Sequence, residues 1–210
     1  KAEAFGGGMR VGYVPDQFGH VGQLPQLFAG FGFPAAVLWR GVGADIDRTL
    51  FHWESPDGTR LPTVYLLHGY GNAVNLPTEP EALAARIDGE AQALGRRSDV
   101  STLLLMNGSD HERPQTDLPR ALGAAQAAHT GAWTAEIGSL AEFVGSALAE
   151  APATLPLHRG ELRSGLRSPL LPGCASTRAP QKRREFENDR LLTRYLEPLA
   201  AWLGALGGDA

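Results

Sequence analysis

Two aspartates in this sequence follow segments typical of buried strands. Asp16 comes after the run at residues 9–14, and Asp110 comes shortly after the apolar run at residues 102–106. In parallel α/β proteins the loops at the carboxyl ends of the strands surround one rim, where catalytic groups gather, so we expect the two carboxylates to converge. Carboxylates about 5 to 5.5 Å apart can perform retaining glycoside hydrolysis: one attacks the anomeric carbon, and the other protonates the leaving oxygen and then activates water. The alternative is local, with Asp16 capping the next helix and Asp110 forming a turn with Ser109.

The elements that must position these aspartates alternate short β-type runs with helical stretches. This alternation predicts an α/β fold with mostly parallel strands. One antiparallel pair is expected, because Asp57-Gly58 between two β-type runs supplies the positive φ angles of a hairpin turn. The predicted strands are residues 9–14, 35–39, 49–53, 61–67, 102–106 and 133–137, and the predicted helices are residues 23–31, 79–97, 118–129 and 140–149.

The last quarter of the chain differs from the rest. Residues 1–157 carry 10 basic and 17 acidic side chains, whereas residues 158–210 carry 9 and 6, which favours a boundary between them. Residues 151–180 are rich in Pro, Gly, Ser and Arg without periodicity, as in a connecting loop. The residues after 180 have apolar side chains at helical spacing, and Pro198 is expected to kink that helix. Since no second helix follows to cover this stripe, we expect it to pack on parts of the parent chain outside these residues, or to self-associate as a homo-oligomer.

Composition narrows the class of protein and its partners. The chain is 43% hydrophobic and 20% charged, with a net charge of −4. It has no long apolar run and no leader pattern, so no membrane partner is expected. Cys174 is the single cysteine, which excludes an internal disulfide, fits a reducing compartment and predicts a cytoplasmic protein. The basic run at residues 182–184 lacks interleaved aromatic side chains, and no nucleic-acid partner is expected.

Several motifs resemble glycoside hydrolase family 38, the zinc-dependent retaining α-mannosidases. The longest is Gly-Tyr-Val-Pro-Asp-Gln-Phe-Gly-His at residues 12–20, which resembles the nucleophile segment of that family. Further motifs follow in chain order at residues 22–26, 39–41, 51–53, 55–58, 106–111, 160–165, 170–173 and 176–178. The resemblance implies that residues 1–150 are an internal part of an irregular (β/α) barrel-like catalytic domain. Residues 151–180 would then be a connecting region, and residues 181–210 the start of a helical middle domain.

The resemblance also implies roles for single residues. Asp16 would be both the catalytic nucleophile and a zinc ligand, and Asp110 would be the general acid/base. Arg40 would orient the nucleophile or bind the substrate, and Tyr70 and His111 are the other candidate substrate-binding residues. The substrate implied is an α-linked mannosyl oligosaccharide or glycoside.

The zinc site implied by the resemblance is incomplete in this sequence. The family takes a His and an Asp from a motif near the amino terminus of its catalytic domain and a further His from the helical domain, and neither motif is found here. Zinc sites use three or four protein ligands. We therefore expect the remaining ligands to lie outside this chain, and we expect weak zinc affinity and negligible activity for this chain alone.

Two other functions stay open at this point. Asp16 and His20 have a spacing that would place both on one face of a helix, as in a metal-dependent hydrolase such as a deacetylase. Pro15 and Gly19 argue against a regular helix there. The second alternative is a non-catalytic carbohydrate-binding or scaffold domain, in which replacing Asp16 or Asp110 would leave turnover unchanged.

Overall fold

The computed structural model of this chain describes residues 2–131, 133–171 and 177–207, so Cys174 lies outside the described residues. The chain divides into two compact units, Lys1–Leu170 and Leu171–Ala210. Within the described ranges, no helix combines the length and apolar character needed to cross a bilayer.

The first unit is built on one mixed sheet. Its strands are β1 (Gly12–Val14), β2 (Ala36–Leu38), β3 (Leu50–Glu54), β4 (Arg60–Tyr65) and β5 (Leu157–Arg159). Its helices are α1 (Leu24–Gly30), α2 (Pro80–Gly95), α3 (Leu118–Ala128) and α4 (Leu140–Glu150), preceded by a short 3-10 helix at Ala2–Phe5. The strand order is β1-β2-β4-β3-β5. Every neighbouring pair is parallel except β3 with β4, which confirms the predicted α/β class with mostly parallel strands.

The one antiparallel pair is the predicted hairpin. β3 and β4 pair from Leu50 opposite Val64 to Glu54 opposite Arg60. Gly58 in the connecting turn has a φ of 87°, a conformation that glycine adopts without steric cost. The Asp-Gly signal was therefore sufficient to predict both the turn and the direction of the strands.

Apolar residues cover both faces of the sheet, because successive residues of a strand point to opposite sides. Val37 belongs to a cluster with Val64 and with Val144 of α4. The adjacent Leu38 belongs to a different cluster, with Phe51. All three residues of β2 are buried, as is typical of a parallel strand covered on both faces.

Residues 102–106 do not form the predicted strand, because side chains form hydrogen bonds with several of their backbone groups. The Asn72 amide donates to the Leu104 carbonyl (3.1 Å) and accepts from the Met106 N–H (2.7 Å). The Glu150 carboxylate accepts from the first N–H of the segment (3.1 Å). Backbone groups need partners but not necessarily another strand, and an apolar run alone does not distinguish the two cases.

Two further differences concern short elements. Residues 133–137 form no strand, and the Ala135 N–H donates to the Gln126 side chain instead (2.8 Å). Residues 151–180, predicted as a loop, contribute β5, which pairs with β3. A strand of three residues is too short to show the alternation by which strands are recognised.

The second unit is helical. It contains α5 (Ala179–Leu191), a π-helical turn (Leu192–Leu196) and α6 (Glu197–Ala205). The π-helical turn lies next to Pro198, where a distortion was predicted, because proline lacks the N–H and crowds the preceding turn. No residue of these helices is buried. Their exposed large apolar side chains are Phe186, Leu191, Leu192, Tyr195, Leu196, Leu199, Trp202 and Leu203. That this stripe packs on other protein stays a prediction.

Candidate active site

Three strand ends bring candidate residues to one edge of the sheet. Asp16 lies two residues after β1, Arg40 two residues after β2, and Tyr70 five residues after β4. These strands are parallel neighbours, so their carboxyl ends meet at the same edge. Gly41 turns the chain directly after Arg40, with a φ of 93°, and a Cβ there would lie 2.4 Å from the Leu162 carbonyl oxygen. Only glycine fits this turn.

Arg40 holds the Asp16 carboxylate in place. Its Nε donates to Asp16 Oδ1 at 2.6 Å, and its side chain is 11% exposed against 38% for Asp16. Its Nη1 donates to the Pro169 carbonyl (2.9 Å). The guanidinium carbon lies over the Phe18 and Trp39 rings, 4.4 and 4.0 Å from their centroids. Asp16 Oδ1 is therefore engaged in a charge-assisted hydrogen bond, whereas Oδ2 has no hydrogen-bond partner among the described residues.

The charges of both aspartates act on the side chain of Tyr70. Its hydroxyl donates to Asp110 Oδ2 at 3.1 Å. Desolvation, this hydrogen bond and the negative charges of Asp16 and Asp110 all raise the pKa of Tyr70, while Arg40 lowers it in part. Burial also raises the pKa of Tyr13, with a further contribution from the charge of Asp110. The charges of both carboxylates thus act on the Tyr70 hydroxyl, and Asp110 is its hydrogen-bond acceptor.

The loop that carries Asp110 docks on the segment after Tyr70. Asn107 Nδ2 donates to the Ala73 carbonyl (2.7 Å). A Cβ at Gly71 would lie 3.2 Å from the nearest carbonyl oxygen of the loop. This close approach fixes the loop near Tyr70 and leaves the Asp110 side chain exposed to solvent.

The alternative prediction was that Asp16 caps a helix and that Asp110 forms a turn with Ser109. Only the part about Asp110 is correct. The Glu112 N–H donates to the Ser109 carbonyl (3.3 Å), so Asp110 does lie in a turn, and the turn presents its carboxylate outward. Asp16 caps no helix, because α1 begins at Leu24 and its N-cap makes no side-chain hydrogen bond. A capping role therefore does not explain Asp16.

His111 directly follows Asp110 and is exposed. Its φ of 65° is in the left-handed region, which is uncommon for a residue other than glycine. Within the described part of the chain, its ring has no hydrogen-bond or ion-pair partner. The structure thus places His111 beside the acid/base candidate with both ring nitrogens available.

The described residues do not form a metal site. They contain no group of three or more His, Cys, Asp or Glu side chains arranged to hold an ion. No helix connects Asp16 and His20, so the helical spacing on which that alternative depends is absent, and His20 is only 4% exposed. Its ring packs edge-on against Trp53, with centroids 5.8 Å apart.

Burial of His20 predicts an acid-sensitive fold. Desolvation lowers the pKa of His20 to about 4, and a backbone hydrogen bond with Arg40 offsets this only in part. Between about pH 6.5 and pH 4 the unfolded chain binds a proton that the folded chain does not. We therefore expect the free energy of unfolding to fall by up to about 3 kcal/mol as the pH decreases through this window.

Urea unfolding at pH 7.5 and at pH 4.5 measures this effect. His20→Leu should reduce the difference in the free energy of unfolding between the two pH values. An equal pH dependence in His20→Leu and in the unmodified protein would contradict the assignment.

Sequence reasoning did not identify three groups that position the site. The Pro169 carbonyl has no side-chain signature, and it lies far from Arg40 in sequence. Phe18 was quoted only as part of a motif, and its stacking on Arg40 depends on the loop conformation. Leu162 pairs with His20 through two backbone hydrogen bonds (2.9 and 3.0 Å). The sequence alone does not indicate which distant backbone carbonyl accepts such a hydrogen bond.

Most of the chain is similar to known proteins. Residues 2–161 match the glycosyl hydrolases family 38 N-terminal domain. The chain is similar to a putative mannosylglycerate hydrolase from Halalkalibacterium halodurans, with 30% identity over 204 residues that cover 90% of this chain and 23% of that protein. It is also similar to the structure of an alpha-mannosidase from Enterococcus faecalis V583, with a TM-score of 0.72, 29% identity, and coverage of 78% of this chain and 19% of the other. The chain thus spans less than a quarter of the length of either protein.

Proposed function

The chain belongs to glycoside hydrolase family 38, and from this membership we propose that it carries both catalytic carboxylates of a longer, retaining α-mannosidase. The observation that supports the proposal is geometric: Arg40, which donates to Asp16, and Tyr70, which donates to Asp110, follow the carboxyl ends of neighbouring parallel strands. The similar proteins are named as an alpha-mannosidase and a putative mannosylglycerate hydrolase. The proposed substrate class is accordingly an α-linked mannosyl oligosaccharide or glycoside.

The proposed reaction has two displacement steps. Asp16 Oδ2 attacks the anomeric carbon while Asp110 donates its proton to the glycosidic oxygen, so that the glycosidic bond breaks and a mannosyl ester forms. Asp110, now a carboxylate, takes a proton from water as the water attacks the anomeric carbon. The bond between the anomeric carbon and Asp16 breaks in the same step, and mannose leaves with its original configuration. Arg40 holds Oδ1 and so keeps Oδ2 directed at the substrate.

Zinc is the metal that the family resemblance implies. The donor set of the described residues does not fit a zinc ion by itself, because Asp16 is the single candidate ligand and one of its oxygens is already bonded to Arg40. We propose that any further ligands come from protein outside this chain.

Three further features are proposals on sequence grounds. We propose a cytoplasmic location, which the single cysteine supports. We also propose the boundaries 1–150, 151–180 and 181–210 for the catalytic part, the connecting region and the start of a helical domain. The apolar stripe of α5 and α6 would pack on the rest of the parent protein or on a second copy.

A covalent trap tests the proposed function. We expect a fluorinated mannosyl fluoride, which forms the mannosyl ester but hydrolyses slowly, to add one sugar to the full-length protein on the peptide that contains Asp16. Asp16→Asn should abolish the adduct, whereas Asp47→Asn, at an exposed carboxylate, should retain it. A metal-dependent deacetylase or a non-catalytic binding domain would give no adduct at all, and peptide mapping by mass spectrometry distinguishes these outcomes.

A further inference from the structure

Trp39 contacts the residues that orient both catalytic carboxylates. The Arg40 guanidinium carbon lies 4.0 Å from the centroid of the indole ring. The Tyr70 ring meets the same indole edge-on, with centroids 5.5 Å apart and an interplanar angle of 79°. The backbone before Tyr70 is also in contact, because a Cβ at Gly69 would lie 3.2 Å from the indole. One partly buried side chain therefore lies against two residues from different strand ends.

Arg40 and Tyr70, which Trp39 contacts, each donate a hydrogen bond to one of the carboxylates. Arg40 donates to Asp16 at 2.6 Å, and Tyr70 donates to Asp110 at 3.1 Å. An arginine side chain has many rotamers, and stacking on an aromatic face restricts the plane of its guanidinium. An edge-to-face contact similarly restricts a tyrosine ring. The orientation of both carboxylates thus depends on where the indole lies.

We propose that Trp39 is a positioning residue shared by the nucleophile and the acid/base, an inference that rests on the proposed function. Retaining chemistry requires the two carboxylates to reach one glycosidic bond from fixed positions. A displacement of about 1 Å can reduce a rate by about 10²-fold. Trp39 links the Arg40–Asp16 pair to the Tyr70–Asp110 pair, so that neither moves independently.

Phe18 provides a matched control, because it contacts Arg40 but has no described ring contact with Tyr70. Its ring lies 4.4 Å from the Arg40 guanidinium carbon, and it is 49% exposed. Its described ring contacts do not include Tyr70. Replacing Phe18 should therefore disturb the orientation of Asp16 alone, whereas replacing Trp39 should disturb both Asp16 and Asp110.

Leaving-group dependence separates the two effects in the full-length protein. The quantity to measure is kcat/KM, which reports on formation of the mannosyl ester, for a dinitrophenyl α-mannoside and for an alkyl α-mannoside. The first substrate has a leaving group that needs no proton, and the second needs the acid. We expect Phe18→Leu to lower both values by about the same factor, on the order of 10-fold. Trp39→Leu should lower the dinitrophenyl value similarly and the alkyl value by about a further 10-fold.

Trp39→Phe is the second variant, in case Trp39→Leu does not fold. It keeps an aromatic face for Arg40 but cannot fill the space of the indole, so we expect a smaller loss with the same dependence on the leaving group. Thermal unfolding of each variant shows which proteins are folded at the assay temperature. An unchanged ratio of the two kcat/KM values in every folded Trp39 variant would overturn the inference. Absence of turnover by the unmodified protein would instead refute the proposed function.

Discussion

Replacing Asp16 with asparagine is expected to lower kcat/KM by about 10⁴-fold or more, for activated and unactivated mannosides alike. Asparagine keeps an oxygen that can accept from Arg40 Nε, so the geometry of the pair is largely preserved. It has no carboxylate to attack the anomeric carbon, and no leaving group can compensate for a missing nucleophile. The effect should therefore be independent of the leaving group, which distinguishes a nucleophile from an acid.

The measurement is steady-state hydrolysis of aryl α-mannosides by the full-length protein. Asp47→Asn is the matched control, because that side chain is 67% exposed and makes only a distant contact with Arg48. It should retain the activity of the unmodified protein. If Asp16→Asn kept more than about a tenth of the activity, Asp16 could not be the nucleophile.

The smaller variant Asp16→Ala gives independent evidence. It leaves space beside the anomeric carbon in which a small anion such as azide can act as an external nucleophile. Added azide should partly restore consumption of a dinitrophenyl α-mannoside and yield the β-mannosyl azide, since a single displacement inverts the configuration. A product of retained configuration would contradict the position assigned to Asp16.

The strands that bring Asp16 and Arg40 to one edge of the sheet could be predicted from the sequence. Both follow β-type runs that indicate strands, and parallel neighbours place their carboxyl ends at one edge whatever the details of the loops. The Asp57-Gly58 turn identified the antiparallel pair for a similar reason, because its φ requirement is local. Patterns that depend on backbone sterics and on burial are thus readable from the sequence.

The environment of Asp110 was less predictable. The run before it is apolar enough for a strand, but the Asn72 amide and the Glu150 carboxylate occupy its backbone groups. The hydrogen bond from Tyr70 depends on how two loops dock, and neither loop has a periodic pattern. Such interactions join polar groups far apart in sequence, and nothing in either local segment encodes the partner.

Replacing Asp110 with asparagine should produce a loss that depends strongly on the leaving group. For an alkyl mannoside, whose oxygen must be protonated as it leaves, we expect kcat/KM to fall by about 10² to 10⁴-fold. For a dinitrophenyl mannoside, we expect kcat/KM to change little, because that leaving group departs as an anion. The slower step becomes hydrolysis of the mannosyl ester, which lacks its base, so kcat should fall even for this substrate.

Glu112→Gln is the matched control for this variant. Glu112 lies two residues further along the same loop and is exposed, and its backbone N–H forms the turn with Ser109, so the substitution changes a charge without changing the turn. It should leave the dependence on the leaving group unaltered. Azide should accelerate Asp110→Asn and give the α-mannosyl azide, because it attacks the ester on Asp16 without needing a base. An equal loss for both substrates, or a β-azide product, would assign the acid/base role to a residue other than Asp110.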